Sequence, residues 1–125
     1  MKDILVIREL AAEYAQAAYS DKNKEKIRLH KAVNDLHMIR PIVLIDEIPW
    51  GEMETGDELT LRCADEDLRK LERRLRRILF QWRHMPADMV LPDYIGVEKV
   101  IHSTGIGVEV EEELIEGGQV SSHKY

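Results

Sequence analysis

The sequence is poor in cysteine, in positive charge and in long apolar runs, and each of these absences excludes a class of protein. Cys63 is the single cysteine of the 125 residues, so no internal disulfide can form and a reducing, cytoplasmic compartment fits best. The net charge of -6 discourages nonspecific binding to nucleic acid or to anionic membranes. No apolar run approaches the roughly 20 residues of a membrane span, and Glu9 and Glu13 interrupt the plan of a signal peptide. We therefore expect a cytoplasmic protein with no nucleic-acid partner and no membrane partner.

Helical spacing dominates the first third of the chain. With 44% hydrophobic residues, the chain is long enough for one domain with its own core. Apolar residues three and four positions apart predict an amphipathic helix over residues 2–19. Ser20 and Asp21 are good N-cap residues, and the spacing after them predicts a second helix to about Asp35. These two helices are expected to form an N-terminal extension over residues 1–39.

The middle of the chain has the pattern of a strand, a helix and a second strand. Residues 42–45, Ile-Val-Leu-Ile, predict a strand buried on both faces, as in parallel sheets. An apolar stripe from Leu68 to Trp82 predicts a helix that Pro86 ends. Residues 89–91 then predict the next short strand.

The last part of the chain has a weaker pattern. Apolar and acidic residues alternate over residues 108–111, and Gly117-Gly118 predicts a turn that leads a hairpin back through Val120. Two parallel strands cannot bury both faces of a sheet, so most of the architecture that the pattern implies is expected to lie outside these residues.

Three short motifs follow one another from residue 40 onward. They are Arg40-Pro41-Ile42-Val43-Leu44, Val90-Leu91-Pro92-Asp93-Tyr94-Ile95 and Gly105-Ile106-Gly107-Val108-Glu109-Val110. In this order they resemble the start of the uroporphyrinogen decarboxylase superfamily, which includes cobamide-dependent methyltransferases. The resemblance implies an α/β fold class, in which the two N-terminal helices precede the first β-α-β units of an incomplete (β/α)8 barrel over residues 40–125. It also implies that the chain is the N-terminal portion of a larger enzyme and is inactive alone.

One departure from the family separates its two branches. The decarboxylases follow their first strand with Met-Arg-Gln-Ala-Gly-Arg-Tyr, whose arginines hold the acidic side chains of the porphyrinogen. Here the stretch is Ile45-Asp46-Glu47-Ile48-Pro49-Trp50-Gly51, and carboxylates in place of guanidinium groups oppose such a substrate. The resemblance therefore implies a corrinoid-linked methyltransferase. It implies a small-molecule methyl donor and a corrinoid protein as partners, and zinc and a corrinoid as cofactors of the parent enzyme, with no cofactor in this chain.

Four residues at the ends of the predicted strands are candidate site residues. Asp93 occupies the place of the family's substrate-facing aspartate and is the candidate catalytic residue, with a cap for the following segment as the alternative role. Glu47, Trp50 and Tyr94 are the candidate substrate-binding residues. For Trp50 simple packing is the alternative.

Histidines and a basic helix face invite two further hypotheses. None of the five histidines forms a ligand pattern with Cys63, so no metal site is expected in this chain.

The basic residues between Arg69 and Arg83 lie on the polar side of the predicted third helix with acidic neighbours, which favours a solvated face over a nucleic-acid surface.

A second function class stays open beside the enzyme. The chain could be a small binding or assembly module without catalysis, which buries its strand edges and apolar stripe by self-association. A homo-oligomer formed through exposed apolar surface is expected under either hypothesis.

Overall fold

The computed structural model describes residues 1–53, 56–97, 99–105, 107, 111–114 and 121–124. The chain forms two compact units, Met1–Ile95 and Gly96–Tyr125. Three α-helices belong to the first unit, and they are α1 Lys2–Ala18, α2 Asp21–Asn34 and α3 Glu66–His84. Single 3₁₀ turns at Trp50–Glu52 and Asp57–Leu59 interrupt the long connection between α2 and α3.

The helices begin where side chains can satisfy their first backbone N–H groups. The Ser20 hydroxyl accepts a hydrogen bond from the backbone N–H of Asn23 at 3.2 Å and so caps α2. The Asp65 carboxylate caps α3 by accepting from the backbone N–H groups of Asp67 and Leu68 at 3.1 and 3.0 Å. All three helices that the spacing predicts are confirmed, with bounds within one or two residues of those expected.

The core of the first unit lies between α1, α3 and the segment after α3. It is a cluster of seven buried residues, and these are Leu10, Tyr14, Ala18, Leu75, Leu79, Trp82 and Leu91. The apolar stripe predicted on α3 supplies three of them, which explains why α3 packs along α1. Residues 1–39 therefore share one core with α3 and Leu91.

The predicted α/β architecture is wrong for the part of Met1–Ile95 that the structure describes. Those residues contain no strand, so they form neither a β-α-β unit nor the opening of a (β/α)8 barrel. The expected strand over residues 42–45 is a surface segment without regular secondary structure, where Val43 and Leu44 are 58% and 52% exposed. The apolar β-branched run thus gains neither a neighbouring strand nor burial.

In the second predicted strand, a side chain and not a neighbouring strand forms hydrogen bonds with the backbone of Leu91. The buried amide of Asn23 donates to the carbonyl of Leu91 at 2.8 Å and accepts from its N–H at 2.9 Å. The amide also donates to the carbonyl of Ala18 at 2.7 Å. The second predicted strand, residues 89–91, is therefore held to the α1–α2 corner by one side chain instead of by a ladder.

The second unit contains a two-stranded antiparallel sheet. Strand β1, Glu111–Leu114, pairs with β2, Ser121–Lys124, in a register that sets Glu111 opposite Lys124. Both strands lie further along the chain than the predicted hairpin, whose alternating residues 108–110, turn at residues 117–118 and return at Val120 lie outside the described residues. Gly105 and Gly107 adopt φ values of 63° and 82°, a left-handed conformation that glycine adopts at little cost. Among the described helices of the chain, none combines the length and the apolar character needed to cross a bilayer.

Candidate functional site

The structure places Asp93 and Tyr94 in an exposed bend that follows the core residue Leu91. Just before them, the Tyr14 hydroxyl donates a hydrogen bond of 2.7 Å to the carbonyl of Pro92 and so anchors the start of the bend to α1. Burial raises the pKa of Tyr14, which keeps this hydroxyl protonated. Tyr94 is 70% exposed. Asp93 and Tyr94 are thus accessible from solvent and directly follow a residue that is hydrogen-bonded to α1.

Glu47 and Trp50 lie on the connection between α2 and α3. Glu47 is exposed and has a φ of 55°, which is uncommon for a residue with a side chain. The Trp50 ring packs edge-on against Phe80, with ring centroids 6.1 Å apart, and the Arg77 guanidinium lies 5.2 Å from its centroid. Within the described residues, no hydrogen bond, ion pair or ring contact joins these two residues to Asp93 or Tyr94. The four predicted site residues therefore form two separate pairs.

A groove of about 420 Å³ lies beside Trp50, along one face of α3. This is within the range of about 300–1,000 Å³ that is usual for small-molecule sites. Its wall on α3 consists of three arginines. The described residues that line it are Trp50, Gly56, Leu59, Thr60, Leu61, Arg69, Arg73 and Arg77. We call this feature the arginine groove.

The three arginines of the groove differ in what holds them. Arg69 donates to the carbonyl of Cys63 at 2.8 Å, and Arg77 lies over the Trp50 ring. Arg73 is exposed and has no hydrogen bond or ion pair with any residue that the structure describes. No carboxylate is among the described residues that line the groove. The part of the groove that the described residues form therefore has charge of one sign only.

A second groove of about 280 Å³ in the same unit is also lined by arginines, and two of them are paired with carboxylates. In that groove Arg83 donates to the carboxylates of Glu13 and Glu58 at 2.5 and 2.6 Å. Arg76 donates to Glu72 at 2.8 Å. The described lining of the second groove thus combines arginines with four carboxylates, whereas the described lining of the arginine groove contains none.

Asp88 is the centre of a polar cluster that joins three parts of the first unit. Its carboxylate accepts from Lys26 of α2 at 2.7 Å, from both terminal nitrogens of Arg40 at 2.7 Å, and from the backbone N–H of Val43 at 2.9 Å. The backbone N–H of Asp88 donates to the carbonyl of Val43 at 2.9 Å. The hydrogen bonds from Arg40, Lys26 and Val43, in that order, lower the pKa of Asp88 far below its usual range.

Glu72 is the centre of a second, fully buried cluster. Its carboxylate accepts from the backbone N–H groups of Arg62 and Cys63 at 2.9 Å and from the Arg76 guanidinium at 2.8 Å. Burial pushes the pKa of Glu72 upward, but these donors together outweigh it and leave the pKa below the ordinary value. Burial raises the pKa of the neighbouring Cys63 thiol to about 11, and the Glu72 carboxylate adds to that effect. Cys63 is therefore a protonated core residue.

The histidines of the first unit are engaged in hydrogen bonds. His30 contacts the carbonyl of Asp88 at 2.6 Å, His37 contacts that of Asp35 at 2.7 Å, and His84 contacts Glu58 at 2.8 Å. Among the described residues there is no group of three or more histidine, cysteine, aspartate or glutamate side chains placed to hold a metal ion.

Sequence reasoning missed the buried polar residues and the arginine groove. Asn23 lies in the first turn of α2, where asparagine is common, so nothing in the sequence marks it as buried. Glu72 stands among the arginines of α3, and that neighbourhood predicts an exposed acidic residue. The available signal for the groove was the four-residue spacing of Arg69, Arg73 and Arg77, which places all three on one face of a helix. Trp50 could not be assigned to that face because its contact with α3 depends on an irregular connection.

No family model matches the chain, and neither a curated protein nor a solved structure does so.

Proposed function

We propose that this chain is the N-terminal part of a uroporphyrinogen-decarboxylase-like enzyme, and that the parent enzyme is a corrinoid-linked methyltransferase of the cytoplasm. The observation that supports the proposal is a contact between the first motif and the residue that stands two positions before the second. Arg40 opens the first motif and binds that residue, Asp88, bidentately. Val43 adds two hydrogen bonds to Asp88. The first motif is thus held next to the start of the second, although the two are far apart in the sequence.

Uncovered apolar surface at the same place also supports the proposal. Residues 42–45 have the composition of a buried strand, yet Val43 and Leu44 are more than half exposed. A contiguous patch of exposed apolar side chains is typical of a surface that another element covers. In the proposed parent enzyme, further protein covers this segment, and that protein would also supply the sites for zinc and a corrinoid.

Asp93 is the proposed catalytic residue, and Glu47, Trp50 and Tyr94 are the proposed substrate contacts. In the proposed transfer the bond from the methyl carbon to the donor's heteroatom would break, the methyl group would pass to the corrinoid that the partner protein would hold, and the heteroatom would take up a proton. A carboxyl group in an accessible, anchored bend is able to supply this proton. The partners proposed for the parent are the methyl donor and a corrinoid protein.

Replacement of Asp93 tests this role in the protein expressed from the complete reading frame. We expect Asp93→Asn to lower kcat for methyl transfer by about 100-fold, the low end of the effect of a proton donor. The rate would be followed by the absorbance change of free cob(I)alamin with methanol, trimethylamine and a methoxyarene as donors. The matched control is Asp46→Asn, which removes another exposed carboxyl and should leave the rate within about twofold.

Two outcomes would contradict the proposal. One is methyl transfer by the 125-residue chain alone, and the other is a full-length protein that uses none of these donors. Full activity of the Asp93→Asn enzyme would remove only the role assigned to Asp93.

A self-associating module without catalysis is the second candidate, and one observation favours it. Between α2 and residue 45, large apolar side chains are exposed in close succession. These are Leu36, Met38, Ile39, Val43, Leu44 and Ile45, with exposed fractions from 39% to 90%. We call them the apolar segment. A second copy of the chain could cover it as well as further protein could.

A lysine in the apolar segment tests self-association. We expect Leu44→Lys to weaken a homodimer by at least about tenfold, because burying an unpaired ammonium in an interface is costly. Light scattering coupled to size-exclusion chromatography would measure the mass across a range of concentrations. Leu5→Lys is the control, since Leu5 is similarly exposed, at 55%, but lies on α1. A monodisperse monomer for the unmodified chain would rule the second candidate out.

A further inference from the structure

The arginine groove is the feature that neither proposed function uses. It is lined by Arg69, Arg73 and Arg77 on α3 and bordered by Trp50. Positions four apart on a helix lie above one another, and a rise of 1.5 Å per residue spreads the three over about 12 Å. The groove therefore presents a row of guanidinium groups in a concavity of small-molecule size.

Three like charges at this spacing repel one another, because residues four apart on a helix are neighbours. Helix α3 offers carboxylates to other cations, since Glu72 binds Arg76 and Glu66 lies 3.8 Å from Lys70. Among the described residues, the groove face receives none. A bound anion would relieve the repulsion and give Arg73 the partner that it otherwise lacks.

Two of the three guanidinium groups are already positioned by the protein. A hydrogen bond to the carbonyl of Cys63 fixes Arg69, and the Trp50 ring supports Arg77. Guanidinium groups held in place lose less side-chain entropy when they bind an oxyanion, and their planar donors match carboxylate and phosphate bidentately. The hydroxyl of Thr60 and the apolar side chains of Leu59 and Leu61 complete the lining.

We propose that the arginine groove binds a small organic polyanion through phosphate or carboxylate groups. The distribution of charge over the first unit favours a compact ligand over a long polymer. Helix α3 has seven basic and three acidic residues, a net charge of +4, whereas the rest of the first unit has nine basic and fifteen acidic residues, a net charge of -6. A long anionic polymer would extend from the groove onto this acidic remainder, whereas a compact anion stays within the row of arginines.

Isothermal titration calorimetry of the 125-residue chain with tripolyphosphate and with citrate tests the site. At about 50 mM salt, where screening is modest, we expect one-to-one binding of at least one of the two anions. Stronger binding of tripolyphosphate would identify a phosphate ligand, and stronger binding of citrate a carboxylate ligand. Arg73→Gln should weaken the preferred anion by about tenfold, because a charge-assisted bidentate contact is lost.

The matched control is Lys70→Gln, which removes one positive charge from an exposed neighbouring position of the same helix that does not line the groove. Its affinity should change by less than about twofold. A third variant, Arg73→Lys, keeps the charge but not the planar donor pair, and we expect an intermediate affinity. Far-UV circular dichroism would establish that the helical content of all three variants is unchanged.

Three results would overturn the proposal. The first is the absence of binding heat with both anions, and the second is an equal loss of affinity in Arg73→Gln and Lys70→Gln. The third is displacement of tripolyphosphate by a single-stranded RNA oligonucleotide at a much lower concentration of phosphate groups, which would assign the groove to nucleic acid. None of these results depends on methyl transfer or on self-association.

Discussion

Glu72→Gln is expected to destabilise the first unit by about 3 kcal/mol, because the change breaks a buried ion pair by removing one partner. Glu72 is fully buried, and its carboxylate receives two backbone N–H groups and the Arg76 guanidinium. A glutamine offers one oxygen and turns an NH₂ group toward N–H donors. At least one buried donor is then left without an acceptor, and Arg76 loses its counter-charge.

Urea unfolding at about pH 7, followed by circular dichroism, measures this loss as a lower midpoint. Glu25→Gln is the control, because Glu25 forms a solvent-exposed pair with Arg28 and its replacement should leave the midpoint almost unchanged. In the double variant Glu72→Gln/Arg76→Gln we expect part of the stability to return, since the unpaired guanidinium is gone. A Glu72→Gln midpoint equal to that of the control would show that the buried cluster contributes nothing.

Asp88→Asn is expected to have the second largest effect, and this effect depends on pH. The Asp88 carboxylate is held by Arg40, Lys26 and the backbone N–H of Val43, and its pKa in the folded protein lies far below the ordinary value of 3.8. A carboxyl with a depressed pKa binds its proton more weakly in the folded state than in the unfolded state. Its contribution to stability is therefore complete above about pH 5 and is lost as the pH falls below about 4.

The urea midpoints of the unmodified chain and of Asp88→Asn should thus differ strongly at about pH 7 and approach each other at about pH 3. Asp21→Asn is the control, because the Asp21 side chain is completely exposed beside Lys24. Its midpoint should follow that of the unmodified chain at both pH values. A gap for Asp88→Asn that stays constant with pH would mean that packing, and not the ionised carboxylate, stabilises this cluster.

Local periodicity predicted the helices but could not predict the connections between them. Leu75, Leu79 and Trp82 recur at helical spacing, and a helix needs only its own residues to form its hydrogen bonds. A strand needs a partner strand, which local composition cannot supply, and residues 42–45 find none in the described part of the first unit. The prediction of a buried strand from this apolar β-branched run is therefore wrong.

The polar clusters were beyond prediction for a related reason. Asp88 meets Lys26, Arg40 and Val43 across separations of 45 to 62 residues, so no local pattern marks it. The two pairs of candidate site residues, in contrast, were chosen by motif position, and their roles stay predictions.

The contacts of the first two helices also set the order in which this protein can form during synthesis. Asp3 receives the backbone N–H groups of Ala64 and Asp65, Tyr14 donates to Pro92, and Asn23 binds Leu91. Each partner is made some 60 to 80 residues later than the helix that it holds. A ribosome must therefore release the segment after α3 before α1 and α2 are fixed, and short isolated helices are only marginally stable in water. The nascent chain stays open to chaperones and proteases until residue 92 has left the exit tunnel.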